Sequence, residues 1–323
     1  MSNTELSLDP HRTASGKINE EPPPSLGEDP EAVLKRSSPG RFLLKVGVGA
    51  LALAALGAGG WFGSKALAAR RAKNVPAVPF DAATILVGND LFETERPAHE
   101  AKVDAFAIDK TEVTVSAYRT CFEQGGCGEP AKGAFCNLGQ DGRDDHPINC
   151  VTHEQATSYC AWAGKRLPTE KEWERAARVA HGKKATPPDY GKWEGLFPWG
   201  TEAPSRRSAN VCGKECRLFG AERGQHWPSM WADDEDGFAT TAPVGSFEKG
   251  ATPDGLADMA GNVWEWTASP FCEYPDESCG NKVEYVIRGG GWLSYHPRNL
   301  EVTTREAMPA TDANHAVGFR CVK

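Results

Sequence analysis

All ten cysteines of this chain lie after position 120, and no two are spaced as Cys-x-x-Cys. Structural zinc sites draw on tightly paired Cys or His ligands, which are missing here. The cysteines are therefore read as disulfides, which places the C-terminal part in an oxidising compartment. Cross-links of that density let a loop-rich globule stand with little regular structure. With 10 Trp, 34 Gly and a 40% hydrophobic share, the chain suits such a globule and not a disordered polymer. Its 323 residues allow one large domain plus appendages. A net charge of −8 gives no basic footprint for nucleic acid, and none is expected as a partner.

The N-terminal quarter has a different character. Residues 1–41 are polar and Pro-rich around Glu20-Glu21-Pro22-Pro23-Pro24, with too little apolar surface to offset the entropy of ordering, so they read as a disordered tail. Residues 42–64 follow as an anchor, uncharged from Val46 to Ser64. A helix over Leu43 to Phe62 would be about 30 Å long, enough to cross a bilayer, with Lys45 able to snorkel. A cleavable signal ending at Ala66-Leu67-Ala68 is the rival reading, but the long preceding region, acidic as well as basic, is wrong for a signal. Charge does not orient the span. Lys35, Arg36, Arg41 and Lys45 on one side face Lys65, Arg70, Arg71 and Lys73 on the other. The cysteines do orient it, with the tail inside and the C-terminal domain outside the cytoplasm, periplasmic or extracellular.

A linker over 65–78 leads to a domain over 79–323. Thr84 to Gly88 predicts a first strand, and Lys102 to Ile108 a second with both faces partly apolar. Three helices carry start signals. Thr114 caps Val115 to Glu123. Thr152 and Gln155 form a capping box for a helix through Ala163, stopped by Gly164. Thr169 and Glu172 form another for Glu170 to about Ala180. Beyond Gly191 only Tyr285 to Arg288 and Ala316 to Cys321 read as strands.

Within that irregular part stands Gly255-Leu256-Ala257-Asp258-Met259-Ala260-Gly261-Asn262-Val263-Trp264-Glu265-Trp266. Two readings stay open from these residues alone. Asp258 and Glu265, with carbonyls between them, offer the oxygen surround of a calcium ion, or they are solvated acids on a turn pinned by tryptophans. Other motifs stand in order around it: Asp109-Lys110-Thr111-Glu112-Val113-Thr114, His146-Pro147-Ile148-Asn149-Cys150-Val151, the run from Cys160 through Trp162-Ala163-Gly164-Lys165-Arg166-Leu167-Pro168-Thr169-Glu170 to Arg178, Phe197-Pro198-Trp199-Gly200, Asp236-Gly237-Phe238, Arg288-Gly289-Gly290-Gly291-Trp292 and Gly318-Phe319-Arg320-Cys321. Together they resemble the formylglycine-generating enzyme, or sulfatase-modifying factor, family.

The resemblance implies an α+β globule of low regular content, related to C-type lectins and braced by disulfides and calcium. Two structural calcium sites are implied. One comprises Asn210, Val211, Asp236 and Phe238, the other Asp258, Gly261, Val263 and Glu265, with Val211, Phe238, Gly261 and Val263 giving carbonyls. A disulfide between Cys160 and Cys321 is implied too. The remaining cysteines pair by proximity as Cys121–Cys127, Cys136–Cys150, Cys212–Cys216 and Cys272–Cys279.

Aerobic members of that family oxidise a substrate cysteine with two cysteines that bind copper(I), a soft ion that selects thiolates. The matching positions here hold Ser294 and Asn299, no cysteine lies between Cys279 and Cys321, and copper is not expected. The chain therefore reads as a membrane-anchored module that captures a protein or glycan ligand or scaffolds a partner. The alternative is a divergent oxidoreductase, formylglycine-generating or of nonheme-iron type, acting on a protein or small-molecule thiol. Related sulfoxide synthases hold such an iron with three histidines on a separate helical domain that is not recognised here. Near the altered pair, Tyr295, His296, Glu301, Arg305 and His315 are the candidates for other chemistry. His296 reads as a solvated loop residue and His226, beside Trp227, as packing.

Overall fold

The structure, a computed structural model, describes residues 66–178, 197–276, 279–280 and 283–323. The tail and the expected anchor lie outside the described residues. Among those described, no helix is long and apolar enough to cross a membrane.

The domain begins earlier than the sequence suggests. Residues 66–73 form a helix, α1, where a linker was expected. Ala72 is buried in the main core, its carbonyl accepts a hydrogen bond from the Tyr159 hydroxyl (3.0 Å), and the Lys73 ammonium lies 4.3 Å from the centroid of Trp162. Pro76 O then accepts from Lys110 N, leading into β1 (Ala77–Phe80). Charge and alanine content hid this docking, because one small buried residue carries it.

Strand β1 pairs antiparallel with β4 (Phe106–Asp109), and β2 (Ala83–Val87) pairs antiparallel with β3 (His99–Val103). The single strand expected over Lys102 to Ile108 is thus broken into two, each in a different ribbon. Helices α2 (Val115–Glu123), α3 (His153–Trp162) and α4 (Glu170–Arg178) start where their caps predict. Thr114 Oγ1 accepts from Ala117 N (3.2 Å), and Thr152 and Gln155 close a reciprocal box. Glu172 N donates to Thr169 Oγ1 while Thr169 N donates to Glu172 Oε2.

The C-terminal half contains more regular structure than expected. Helix α5 spans Lys214–Ala221. A four-stranded sheet runs β7 (Arg305–Pro309), β6 (Glu284–Arg288), β5 (Trp264–Pro270), β8 (Val317–Gly318), antiparallel except for the parallel β5–β8 pair. The tryptophan-flanked glutamate is therefore on a central strand, with Glu265 opposite Arg288 on one side and Gly318 on the other.

Helices α2 and α3 pack on this sheet through Tyr118, Tyr159, Trp266 and Phe319. Helix α4 instead buries Trp173, Ala176 and Ala177 against Phe80, Val103, Phe106, Leu256 and Met259. Five disulfides close: Cys121–Cys127, Cys136–Cys150, Cys160–Cys321, Cys212–Cys216 and Cys272–Cys279. These are the five pairs named from the sequence. No cysteine is left free.

Candidate functional site

Strand β6 delivers Arg288 and the three glycines after it to a tight loop. Gly289 and Gly290 have φ of +97° and +73°, a region open to glycine at no steric cost. A Cβ at Gly290 would stand 2.7 Å from the Asn299 carbonyl oxygen and 3.1 Å from Ser294 Oγ. The loop thus brings both positions read as counterparts of the copper cysteines up to one glycine. Ser294 is buried; its Oγ accepts from Gly291 N (3.0 Å) and its carbonyl from Cys212 N (3.0 Å). Asn299 belongs to a short 3-10 turn, Pro297–Leu300, whose first amide is capped by His296 Nδ1. A hydroxyl, an amide and backbone carbonyls are hard donors, and thiol exchange is not open to them.

The neighbouring candidates do not form a nucleophile–base pair. Tyr295 is 54% exposed, and His226 is exposed as well, not packed as expected. Arg305 is buried, with Nε and Nη2 on the Glu170 carboxylate at 2.6 and 3.0 Å and its guanidinium 4.1 Å from the Tyr274 ring centroid. The His315 carbonyl accepts from Asn149 and Trp292, while its Nε2 has no partner, and burial lowers its pKa.

Glu301 is 3% exposed with Oε2 unpartnered. Burial, and then the Glu95 carboxylate, pushes it up to about 7 against the pull of Arg298. A carboxyl raised in this way favours the fold below its ordinary pKa of 4.5, and that contribution is lost as pH rises towards 7. Glu301→Gln keeps the shape without the charge. Urea unfolding is expected to show the variant more stable at pH 8 by about 1–3 kcal/mol, with the gain absent at pH 4.5.

The two oxygen sets named from the sequence differ in what they offer. In the second, both oxygens of Glu265 are taken. Oε1 accepts from Arg320 Nε and Nη2 (2.9 and 2.7 Å), and Oε2 accepts from Arg320 Nε and Trp173 Nε1 (2.8 Å each). Arg320, wholly buried, also donates to the carbonyls of Asp109, Ala257 and Asp258. Glu265 is therefore the counter-ion of a guanidinium, with three N–H donors shared over its two oxygens, a role that the resemblance does not name.

Glu112, which the sequence reading passed over, completes this layer. It accepts from Asn262 Nδ2 and Val263 N (2.9 and 3.3 Å). Burial, then Asp258 and Glu265, hold its pKa well above the ordinary range, and burial likewise lifts Asp258 to about 6. Its place between Lys110 and Thr114, inside a motif, was the available signal.

The first set has unfilled acceptors. Asn210 is 1% exposed, and its Oδ1 has no partner. Asp236 accepts only backbone amides, from Val211 (3.1 Å) and Phe238 (2.9 Å), and burial pushes it up to about 7. Glu215 on α5 also lies here, with Oε1 accepting from Gly237 N (2.7 Å) and Oε2 buried without a partner. Among the described residues no three His, Cys, Asp or Glu side chains gather into a metal-binding group. What this corner presents is an all-oxygen set of amide, carboxylate and carbonyl, the donor chemistry of a hard cation.

A separate open groove of about 520 Å³ runs between the Asp90 to Pro97 loop and Phe271 to Tyr274. Phe271 and Tyr274 line it together with Asp90, Glu93, Glu273 and Arg305.

Comparison with known proteins agrees with this architecture. The family described as sulfatase-modifying factor enzyme 1-like domain matches residues 66–323. Hercynine oxygenase of Mycolicibacterium thermoresistibile is 31% identical over 239 residues, covering 62% of this chain and 47% of that protein. A Bos taurus protein named inactive C-alpha-formylglycine-generating enzyme 2 is 32% identical over 188 residues, covering 55% of this chain and 50% of that protein. The chain thus spans about half the length of the curated relatives it matches. The solved structure of PvdO from Pseudomonas aeruginosa superposes with a TM-score of 0.57 at 23% identity, over 77% of this chain and 94% of that one. Through residues 66–323 the chain belongs to the sulfatase-modifying factor enzyme 1-like family.

Proposed function

We propose that this domain is a binding or scaffolding member of its family that has given up copper–thiolate oxidation. One observation carries the reading. Ser294 and Asn299 stand at the Arg-Gly-Gly loop, and all ten cysteines are committed to disulfides, so no thiol is available to select copper(I). A relative named inactive supports the idea that the fold outlives the chemistry. The groove lined in part by Phe271 and Tyr274 supplies concave surface for a protein or glycan ligand. In this reading one calcium ion braces Asn210, Val211, Asp236 and Phe238, segment 42–64 anchors the chain, and the domain faces an oxidising space outside the cytoplasm.

The purified chain, incubated aerobically with copper and a Cys-x-Pro-x-Arg peptide, is expected to leave the peptide unchanged by mass spectrometry. Metal analysis is expected to find calcium without copper or iron. Aldehyde formation, or stoichiometric iron, would establish instead the divergent oxidoreductase that the likeness to hercynine oxygenase raises.

A further inference from the structure

We propose that Glu215 is a ligand of the cation expected at Asn210, Val211, Asp236 and Phe238, giving that site two carboxylates in place of one. The inference rests on the calcium reading above and adds a residue that neither the family resemblance nor the sequence reading assigned.

Two carboxylates meet at the turn over 236–238, and Asp236 ties that turn to Val211, next in sequence to the unfilled acceptor of Asn210. Asp236 is held by the amides of Val211 and Phe238, so its carboxylate faces the backbone that follows Asn210. Glu215 reaches the same turn from α5 through Gly237 N, which leaves its second oxygen buried and unpartnered. Asn210 adds Oδ1, also unpartnered, on a side chain 1% exposed.

The orientation of the Asn210 amide is fixed. Its Nδ2 donates to Thr240 O (2.9 Å) and to Asn262 Oδ1 (3.2 Å). Asn262 is itself fixed, because its Oδ1 accepts from Ala242 N while its Nδ2 donates to Glu112. Turning the Asn210 amide over would set oxygen against two acceptors, so the orphaned atom is an acceptor that needs a donor or a cation.

Protein cations do not fill this need. The Lys214 ammonium is engaged by Glu235 at 2.7 Å, and Arg217 reaches the Ala232 carbonyl. Among the described residues neither Asp236 nor Glu215 has a lysine or arginine within ion-pair distance. Oxygen-only ligands with two formal negative charges suit calcium, whose affinity for such sites rises with ligand charge and rigidity. The rigidity is covalent. Cys212–Cys216 ties the first turn of α5 to the residue after Val211, and Glu215 lies inside that short loop.

The test is calorimetric titration of calcium into the chelator-treated, disulfide-intact chain, with Glu215→Gln and Asp236→Asn compared. Glutamine at 215 still accepts from Gly237 N, and coincident melting curves in chelator establish that the variant folds. The wild-type protein is expected to bind calcium, Glu215→Gln to bind it about tenfold or more weakly, and Asp236→Asn to lose it at this site. If wild type binds, Asp236→Asn does not, and Glu215→Gln matches wild type, the role of Glu215 is overturned while the calcium reading stands. If wild type binds no calcium, both fall together.

Discussion

Replacing Glu174 with alanine is expected to destabilise the domain by about 3–5 kcal/mol, because it removes one side of a buried charge pair and leaves the other behind. Glu174 has no exposed surface, and neither does Arg288, whose Nη2 it accepts at 2.7 Å. Its other oxygen accepts from Gly88 N (2.9 Å) and Arg178 Nε (2.7 Å). Burial alone would raise this carboxyl, but Arg178, Arg288 and the Gly88 amide outweigh it and hold the pKa below its ordinary 4.5. The stabilisation is therefore present at neutral pH and is lost as acid protonates the folded carboxylate. Arg288 would keep Glu170 (2.9 Å) and the carbonyls of Val302 and Thr304, so its charge would lose one of two carboxylate partners. Because Arg288 immediately precedes the glycine loop that presents Ser294, the same variant should loosen that loop. Urea unfolding at pH 7 measures the loss, and Glu174→Gln should cost less, since it retains an acceptor. A loss below about 1 kcal/mol would mean that Glu170 and solvent balance Arg288 without Glu174.

What the sequence made legible was local. Helices α2, α3 and α4 announce themselves because a threonine and its partner three residues on satisfy amides within one turn, with no help from the rest of the chain. Four short-range disulfides follow from proximity for the same reason. Helix α5 escaped because it starts at Gly213 with no side-chain cap and is held by a disulfide and by contacts from Trp227. Strand β5 was read as a loop because its second residue, Glu265, is a carboxylate between two tryptophans. Only a partner 55 residues away, Arg320, makes that charge tolerable between two strands. The same long-range pair altered the second oxygen set, since a carboxylate has the same letter whether it faces a metal or a guanidinium. Ser294 and Asn299 were placed by motif alone, and their approach to Gly290 depends on backbone conformations that no spacing rule reports.

Removing the Cys160–Cys321 disulfide as a paired alanine variant is expected to be costlier still, about 5 kcal/mol in the chain-entropy picture, because the bond closes a loop across 161 residues of sequence. Both cysteines are fully buried and join α3 to the last residues of the chain. Those residues hold more than the terminus. Val322 bridges to Ile108 and Arg166, Phe319 packs edge-on against Tyr159, and Arg320 neutralises Glu265 in the central strand. Freed from the bond, the terminal segment must be recaptured from a much larger unfolded ensemble before any of these contacts form. Cys272–Cys279 offers an internal contrast, since its sequence separation is only 7 and the same picture gives it about 2 kcal/mol. Guanidinium unfolding of the two paired variants therefore separates explanations. If loop closure dominates, the long-range variant loses about twice as much or more. If the two lose equally, the stabilisation arises from contacts in the folded state, and the terminal segment docks well enough to hold Arg320 on Glu265 without a covalent tie.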